Sequence, residues 1–307
     1  MRAAWSRAAI VTTIAACSGK SPCSGLPRGA DEVSERACAD WATHYCRRLE
    51  VCAPVSLQVG YGDEDRCVAR SRPACAAALS APGTGATPDS LRRCAEAYDS
   101  AACDDVVVGR PPRACAVAGA LAAGAPCVDD AQCASAHCRV PADRACGSCV
   151  ARGAVGDACD SDRDCQYGLV CYFSCLEPVA LGAPCDGMTR QCPQTLVCYD
   201  YACSRPADRG APCDPRADRC DRDHGLYCDP DSKSCSPLSV VDVGGACGAG
   251  TLCRGGSCAT DEATGASRCV ANASDGEPCD AAGGPVCALP SRCVEGLCRL
   301  LDPARCR

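Results

Sequence analysis

Lysine is almost absent from this 307-residue chain, in which it occurs only as Lys20 and Lys233. Large apolar residues are also scarce, with one phenylalanine, two tryptophans and no isoleucine beyond residue 14. The 31 basic residues are outnumbered by 38 acidic residues and form no basic run. Proteins bind nucleic acid by neutralising its phosphates with lysine and arginine, so we expect no nucleic-acid partner.

Catalytic motifs are missing as well. The chain contains no Gly-x-Ser-x-Gly elbow, no P-loop and no His-Glu-x-x-His sequence. Its three histidines, His44, His137 and His224, give no recognisable general base. We therefore predict a protein that is not an enzyme and that needs no cofactor and no metal.

Cysteine is what the chain has in excess, with 36 residues. That share is about 12%, above the roughly 8–10% that is typical of a disulfide scaffold. Disulfides persist only in oxidising compartments, so we expect an exported protein. Each bridge typically contributes about 2–4 kcal/mol, which matters greatly where large apolar side chains are few.

Residues 1–16 have the layout of a secretory signal. Arg2 and Arg7 form a positive segment that precedes a short apolar run at 8–16, and this run is far too short to span a bilayer. The run ends in Ile14-Ala-Ala-Cys17, which resembles the lipobox of bacterial lipoproteins. The resemblance implies cleavage before Cys17 and acylation of its sulfur, as with palmitate, and of its amine.

Ser18 follows Cys17, where bacterial lipoproteins kept at the inner membrane usually have aspartate. The resemblance therefore implies a lipid anchor at the outer membrane or cell surface. The alternative is a plain signal peptide, with Cys17 as an ordinary half-cystine in a periplasmic or secreted protein.

Two kinds of segment follow the leader. Residues 17–33 are rich in serine, glycine, proline and charge, and predict a lipidated cysteine followed by a flexible tether. Ala37, Trp41, Tyr45 and Leu49 then recur every four residues, which is the spacing of one helix face.

Capping signals predict two further helices. Asp63 can cap a helix that ends near Leu79, and Thr87 followed by proline opens a helix through Tyr98. We therefore predict a helical domain over residues 34–122. The sequence does not determine how its eight cysteines pair; they are Cys38, Cys46, Cys52, Cys67, Cys75, Cys94, Cys103 and Cys115.

Residues 123–306 form six short repeats, each of which opens with a glycine-led tag such as Gly124-Ala-Pro-Cys127. Units of this length generally need covalent staples to fold. Turn-like segments between the third and fourth cysteines, such as 229–233, predict one β-hairpin in each repeat. The four cysteines of the successive repeats are Cys127, Cys133, Cys138 and Cys146; Cys159, Cys165, Cys171 and Cys175; Cys185, Cys192, Cys198 and Cys203; Cys213, Cys220, Cys228 and Cys235; Cys247, Cys253, Cys258 and Cys269; and Cys279, Cys287, Cys293 and Cys298.

The predicted fold is therefore small and disulfide-rich: a disulfide-stapled helical domain followed by an elongated array of four-cysteine repeats with β-hairpins. Four cysteines allow three pairings, and spacing alone does not choose among them. We favour first-to-third and second-to-fourth, because this pairing interlocks two loops, whereas sequential pairing leaves the halves of a repeat free to move.

The repeats resemble dickkopf N-terminal or EGF-like cysteine-rich modules. The whole layout of lipobox, helical cysteine domain and glycine-tagged repeats resembles predicted cysteine-rich lipoproteins of myxobacteria and related bacteria. The resemblance implies the same interlocked pairing and a site at the cell envelope.

Some cysteines remain outside these sets. They are Cys23, Cys149 and Cys306, and acylation of Cys17 leaves an odd number, so at least one thiol is then free or intermolecular. Cys146-Gly-Ser-Cys149 is a CxxC motif without a βαβ context, and we interpret it as a repeat cysteine beside an extra half-cystine. With few histidines in an exported chain, a zinc site is not expected either.

Two acidic segments suggest calcium only superficially. Residues 160–164 begin like an EF-hand loop but lack its glycine and glutamate, and Asp218, Asp221 and Asp223 fit no template. We interpret both as solvated loop faces, and a calcium ion between repeats is the alternative.

Rigid scaffolds with variable loops are typical of binding proteins. We predict a non-catalytic envelope lipoprotein with a structural or interaction role, whose partner is an unidentified envelope protein or glycan. The loops between second and third cysteines, at 166–170, 193–197 and 221–227, are the expected contacts. A protease inhibitor with an arginine-bearing loop such as 214–218 is the alternative function, and an enzyme is the least favoured. The sequence leaves the oligomeric state open.

Overall fold

A computed structural model describes residues 28–141, 144–261, 264–280 and 285–306. The predicted signal peptide, Cys17 and Cys23 lie outside these residues. The predicted fold class is confirmed: a helical region comes first, and short, mostly antiparallel strand pairs follow, with disulfides throughout. None of the helices in the described ranges combines the length and the hydropathy that a membrane span needs.

Five helices form the first region, which we call the hub (residues 28–122). They are α1 Arg28–Cys52, α2 Pro54–Gly60, α3 Glu64–Leu79, α4 Pro88–Tyr98 and α5 Cys103–Val107. Helix α1 begins six residues before the predicted boundary, so residues 28–33 are helical and do not belong to the tether. The ion pair between Glu32 and Arg36, one turn apart at 2.8 Å, stabilises this early start.

The predicted capping residues begin α3 and α4. The Asp63 carboxylate accepts a hydrogen bond from the Arg66 amide at 2.7 Å. Thr87 and Ser90 exchange side-chain and backbone bonds in a capping box ahead of α4. These bonds satisfy amides that the first helical turn leaves without partners, so both helices begin where their caps lie.

The hub has a small aromatic core supported by four disulfides. Leu49, Leu57, Tyr61, Tyr98 and Val106 are buried together. The bridges join α1 to α3 twice, α1 to α5, and α4 to the turn after α5; they are Cys38–Cys75, Cys46–Cys67, Cys52–Cys103 and Cys94–Cys115.

Short strands make up the repeats. Five repeats carry a two-stranded hairpin each, and the first carries a three-stranded sheet in the order β1-β3-β2. One further pair, β10 with β11, is parallel and joins the fourth repeat to the fifth. The strands are β1 Pro126–Cys127, β2 Cys138–Arg139, β3 Gly147–Cys149, β4 Val170–Tyr172, β5 Ser174–Leu176, β6 Val197–Tyr199, β7 Ala202–Ser204, β8 Leu226–Asp229, β9 Ser234–Pro237, β10 Ser239–Val241, β11 Thr251–Cys253, β12 Gly256–Thr260, β13 Ser267–Ala271, β14 Arg292–Val294 and β15 Leu297–Arg299.

The glycine-led tag has a specific structural role. In each repeat the tag glycine adopts a φ of +80 to +90°, which strongly favours glycine over residues with a side chain. The amide of this glycine donates a hydrogen bond to the carbonyl of the repeat's last cysteine at 2.7–2.8 Å. The amide of that cysteine in turn donates to the carbonyl of the residue after the glycine at 2.8–3.0 Å. The tag thus ties the start of each repeat to its last strand.

The disulfides interlock within each repeat. Every repeat joins its first cysteine to its third and its second to its fourth, which is the arrangement favoured from the sequence. In repeat 1, however, the fourth cysteine is Cys149, not Cys146. The tag explains this correction, because Gly124 bonds to the Cys149 carbonyl and places that cysteine opposite Cys133.

The array is not elongated, which corrects that part of the expected architecture. Repeat 1 contacts the α3–α4 loop, repeat 2 contacts the segment after α5, and repeat 3 contacts α5. Repeat 4 contacts the junction of α1 and α2, and repeat 5 contacts α2. Repeat 6 contacts the end of α2 and α3. A disulfide between Cys146 and Cys306, 160 residues apart, then joins the last segment to the first repeat. The six repeats therefore form a closed ring around the hub.

Candidate functional site

Each repeat contacts the hub through the region of its second and third cysteines. The three loops expected to bind a partner, 166–170, 193–197 and 221–227, are among these contacts. All three loops therefore help to dock their repeats on the hub, while Gln166, Gly168, Gln194, Arg222 and His224 within them stay exposed. The expectation that these loops bind a partner stays a prediction. The hub contacts in chain order are Gly85 N to Ala131 O, Tyr167 Oη to Pro111 O, Thr195 N to Asp104 Oδ1, Val55 N to Asp223 O, Gly255 N to Gln58 O and Leu289 N to Gly60 O.

Arg110 anchors the second repeat. Its side chain is only 4% exposed and pairs with the Asp105 carboxylate at 2.8 Å. It also donates to two backbone carbonyls of repeat 2, those of Asp162 and, at 2.9 Å, Leu169. A buried guanidinium is tolerated where a carboxylate and several acceptors surround it, so this residue specifies where repeat 2 docks.

Tyr167 strengthens the same contact. Its hydroxyl donates to the Pro111 carbonyl at 2.9 Å. The guanidinium groups of Arg110, Arg113 and Arg152 lie 5.1 to 5.8 Å from its ring centre, within the range of cation–π attraction. The Tyr167 side chain therefore contacts the hub, while its neighbours Gln166 and Gly168 are exposed.

Arg70 has the corresponding role for the sixth repeat. It pairs with Asp275 at 2.8 Å and donates to Ser291 Oγ at 3.0 Å and to the carbonyls of Leu289 and Ala288. Burial by itself would raise the pKa of Asp275, but the bonds from Arg70 and Ser291 lower it below its usual value. The carboxylate therefore stays ionised and holds the repeat on α3.

The ring closes at a seam between repeats 6 and 1. The Cys146–Cys306 disulfide and a bond from Arg292 to the Val140 carbonyl, at 3.2 Å, cross this seam. Behind it lies a cavity of about 1100 Å³, which we call the seam cavity. Its walls come from α1, α3 and repeats 1, 2 and 6; they include Trp41, Ala74, Ala77, Ala78, Asp129, Asp130, His137, Arg139, Val140, Asp160, Arg163, Asp164, Val286, Arg292, Leu300 and Leu301.

A buried histidine lies between two carboxylates beside this cavity. His137 is 2% exposed, with Nε2 at 3.3 Å from Asp164 and Nδ1 at 3.3 Å from Asp130. The Nδ1 contact is within ion-pair distance but lacks hydrogen-bond geometry. His137 belongs to repeat 1, and its contact with Asp164 therefore joins repeat 1 to repeat 2.

Arginines complete this cluster. Asp130 lies 3.2 Å from Arg152 and 3.5 Å from Arg163, and Asp164 lies 3.2 Å from Arg139. Burial would raise the pKa of Asp130, but His137 and Arg163 lower it to about 2. Asp130 therefore stays ionised at neutral pH and holds His137, Arg152 and Arg163 together where repeats 1 and 2 meet.

The hairpin tips point to solvent. Phe173 in repeat 2 is 81% exposed and Tyr201 in repeat 3 is 80% exposed, both with a φ near +60°. The equivalent residues of repeats 4 and 6 are Lys233 and Gly296. At each of these four tip residues, the backbone carbonyl accepts a hydrogen bond from the backbone amide of the first cysteine in the same repeat. The sequence contained a signal for these positions, since each lies two residues before the fourth cysteine.

The CxxC cysteines do not bond to each other. Cys149 bonds to Cys133, and Cys146 bonds to Cys306. All 34 cysteines in the described ranges are in disulfides, so none of them offers a thiolate to a metal or a substrate. The groups of three cysteines that lie close together do so because of these bridges.

The acidic segments have local partners. The Asp164 carboxylate accepts amides of residues 160 and 161, and Asp162 accepts the Cys171 amide. Asp218 binds Arg222 and two cysteine amides, and Asp221 binds His224. These bonds hold the turns of the two acidic segments together.

The arginine-bearing loop at 214–218 is a tight turn. Its Asp214 side chain accepts the Arg216 amide at 2.9 Å, and the Asp214 carbonyl accepts the Ala217 amide at 2.9 Å. A peptide that adds to a strand edge is extended, and this loop does not have that conformation.

The chain matches no known family model, and no solved structure is significantly similar to it. The resemblance to myxobacterial lipoproteins and to dickkopf-like repeats therefore stays a prediction. The extensive disulfides do mark the chain as an exported protein.

Proposed function

We propose that this protein is a non-catalytic interaction protein of the cell envelope that binds an envelope protein or glycan through Phe173 and Tyr201. The observation that carries the proposal is the exposure of these two aromatic side chains, 81% and 80%, on adjacent rigid repeats. In this proposal an acylated Cys17 holds the protein at the outer membrane, as the lipobox resemblance implies.

The backbone at the two tips supports a role in binding. A residue other than glycine in the left-handed conformation costs about 1–2 kcal/mol. Repeat 6 avoids this cost with Gly296 at the equivalent position. Phe173 regains little within the chain, because its main neighbour is the Tyr172 ring at 4.9 Å.

An aromatic side chain kept at such a tip gains most of its stabilisation when a partner covers it. Aromatic residues dominate the binding energy of many interfaces because they bury a large area with little loss of conformational entropy. The ring supplies the rigid support, since disulfides hold each tip strand and loops that hydrogen-bond to the hub fix each repeat in place.

The test uses a secreted Cys17→Ser form, so that a lipid does not contribute to binding. Its binding to isolated outer-membrane fragments is compared with that of Phe173→Gly/Tyr201→Gly and of the matched control Lys233→Gly. We expect the double variant to bind at least about 10-fold more weakly, because two hot-spot side chains are lost. The control, changed at the same position of repeat 4, should bind like the parent.

Two treatments of the fragments identify the class of partner. Loss of binding after protease digestion indicates a protein, and loss after digestion of the glycan indicates a carbohydrate. Undiminished binding of the double variant, with all its disulfides intact, would reject the tips as the contact surface.

A further inference from the structure

The seam cavity lies where part of the hub faces the gap between repeats 6 and 1. Along α3, the small residues Ala74, Ala77 and Ala78 line the cavity, and no repeat in the described ranges hydrogen-bonds to them. The volume of about 1100 Å³ is at the upper end of the range for small-molecule sites.

One wall of the cavity is apolar. Trp41 lies with one face stacked on Tyr45, at 5.6 Å between ring centres, and also lines the cavity. Leu300 and Leu301 from the last segment are only partly buried there, and Val286 from repeat 6 is exposed. These side chains would lose further contact with water if an apolar chain lay between them.

The carboxylates of the opposite wall already have partners or face solvent. Asp130 and Asp164 are held by arginines and His137. Asp129 caps a turn through the Ala131 amide at 2.9 Å, and Asp160 is exposed. Asp129, Asp130 and Asp164 are therefore already engaged within the fold.

Arg292 is the cation without such a partner. Among the described residues it bonds to the Val140 carbonyl, and no carboxylate forms an ion pair with it. It is partly buried, and burial together with the nearby Arg163 guanidinium lowers its pKa. Three guanidinium groups, those of Arg139, Arg163 and Arg292, therefore line one cavity, and Arg292 forms an ion pair with no carboxylate of the described residues.

We infer that the seam cavity binds an amphipathic anion, whose carboxylate or phosphate lies against Arg292 and Arg163 and whose apolar chain lies along Trp41, Leu300 and Leu301. The head group neutralises the unpaired guanidinium, and guanidinium binds planar oxyanions in a two-pronged geometry. The chain covers the exposed apolar wall. This site does not depend on the tips proposed above.

The probe for the test is 11-(dansylamino)undecanoic acid. Trp5 and Trp41 are the only tryptophans of the chain. Trp5 lies in the predicted leader, so a chain that begins at residue 17 keeps Trp41 as its single donor for energy transfer to the dansyl group. We expect saturable binding to the oxidised protein with energy transfer from Trp41.

Arg292→Gln should bind the probe about 10- to 100-fold more weakly, because a charge-assisted contact is lost. The matched control is Arg299→Gln: Arg299 lies directly across the hairpin from Arg292, but it pairs with Glu295 and does not line the cavity. This control should bind like the parent. The methyl ester of the probe should bind the parent more weakly by a similar factor.

The ester comparison needs no variant, so the test does not depend on the folding of Arg292→Gln. Equal binding of acid and ester would overturn the inference, as would an absence of energy transfer. Complete displacement of the probe by inorganic phosphate alone would also overturn it, because the apolar chain would then not contribute. Displacement by a fatty acid or by a lysophospholipid supports it and distinguishes the two sources of the anion. Unchanged probe binding by the Phe173→Gly/Tyr201→Gly variant would separate this site from the proposed function.

Discussion

Opening the ring at one bond is the most direct perturbation of this architecture. Cys146 and Cys306 are both partly exposed, and their bridge is the one disulfide in the described ranges that connects distant modules. Replacement of both by serine removes the covalent closure and leaves every disulfide within the hub and the repeats in place. We expect the folded ring to persist, because each repeat still docks on the hub.

The cost should come mainly from the unfolded state. The bridge joins residues separated by 160 positions. The disulfides of the intervening repeats shorten the covalent path between them to roughly 100 residues, for which the chain-entropy estimate is about 4.7 kcal/mol. A bridge within a repeat, such as Cys247–Cys258 with a separation of 11, closes a much smaller loop. The same estimate gives it about 3 kcal/mol.

A guanidinium titration followed by Trp41 fluorescence measures this difference. With a denaturant slope of about 5 kcal/mol/M, the serine pair should lower the midpoint by about 1 M. The slope itself should rise, since the opened chain exposes more surface when it unfolds. The parent should also give a peptide that links residues 146 and 306 in non-reducing digestion.

The matched control is Cys247→Ser/Cys258→Ser, which removes one bridge without opening the ring. Its denaturant slope should rise less than that of the ring-opened variant. A serine pair at 146 and 306 whose midpoint and slope both equal those of the parent would refute the closed ring as a source of stability.

Three further predictions concern single residues. The His224 imidazole donates hydrogen bonds to the Val51 carbonyl of the hub and to Asp221, and the bond to Asp221 raises the pKa of His224. The contribution of His224 to the free energy of unfolding should therefore be complete below its ordinary pKa of about 6.5. This contribution should be lost as the pH rises through the higher pKa of the folded state. The difference in melting temperature between the parent and His224→Gln should thus be larger at about pH 5.5 than at about pH 8.5, and an equal difference would contradict the assignment. Arg70→Gln should selectively release repeat 6, seen as faster hydrogen exchange there, with the exchange of repeats 2 and 3 as the internal control. Finally, the 17 bridges leave only Cys17 and Cys23, so an acylated protein should show one free thiol under denaturing, non-reducing conditions, whereas a plain exported form with these two paired should show none.

Local signals were enough to predict much of the secondary structure. Asp63 and Thr87 begin their helices because the capping bonds involve residues three positions apart, which the sequence displays directly. Glycine tags and short cysteine spacings likewise predicted repeats with hairpins. The start of α1 was predicted too late, because the tether composition concealed the Glu32–Arg36 pair.

The identity of Cys149 could also have been recognised. With Cys149 as its fourth cysteine, repeat 1 has bridge separations of 11 and 16, the same as repeat 5. Comparison of the repeats with one another would have excluded Cys146 from this set. The partner of Cys146 could not be inferred in this way, because no spacing rule applies across 160 residues.

The sequence by itself determined the exported, disulfide-dependent character of this protein, its helices and its repeats, because each depends on residues close together in the chain. Only the tertiary structure decided that the array closes into a ring, that the loops at 166–170, 193–197 and 221–227 contact the hub, and that Arg292 borders a cavity and pairs with no carboxylate of the described residues. These features depend on how six units orient around one hub. That orientation is the sum of many weak contacts between distant residues, such as those of Arg70 and Arg110, and no local pattern encodes it.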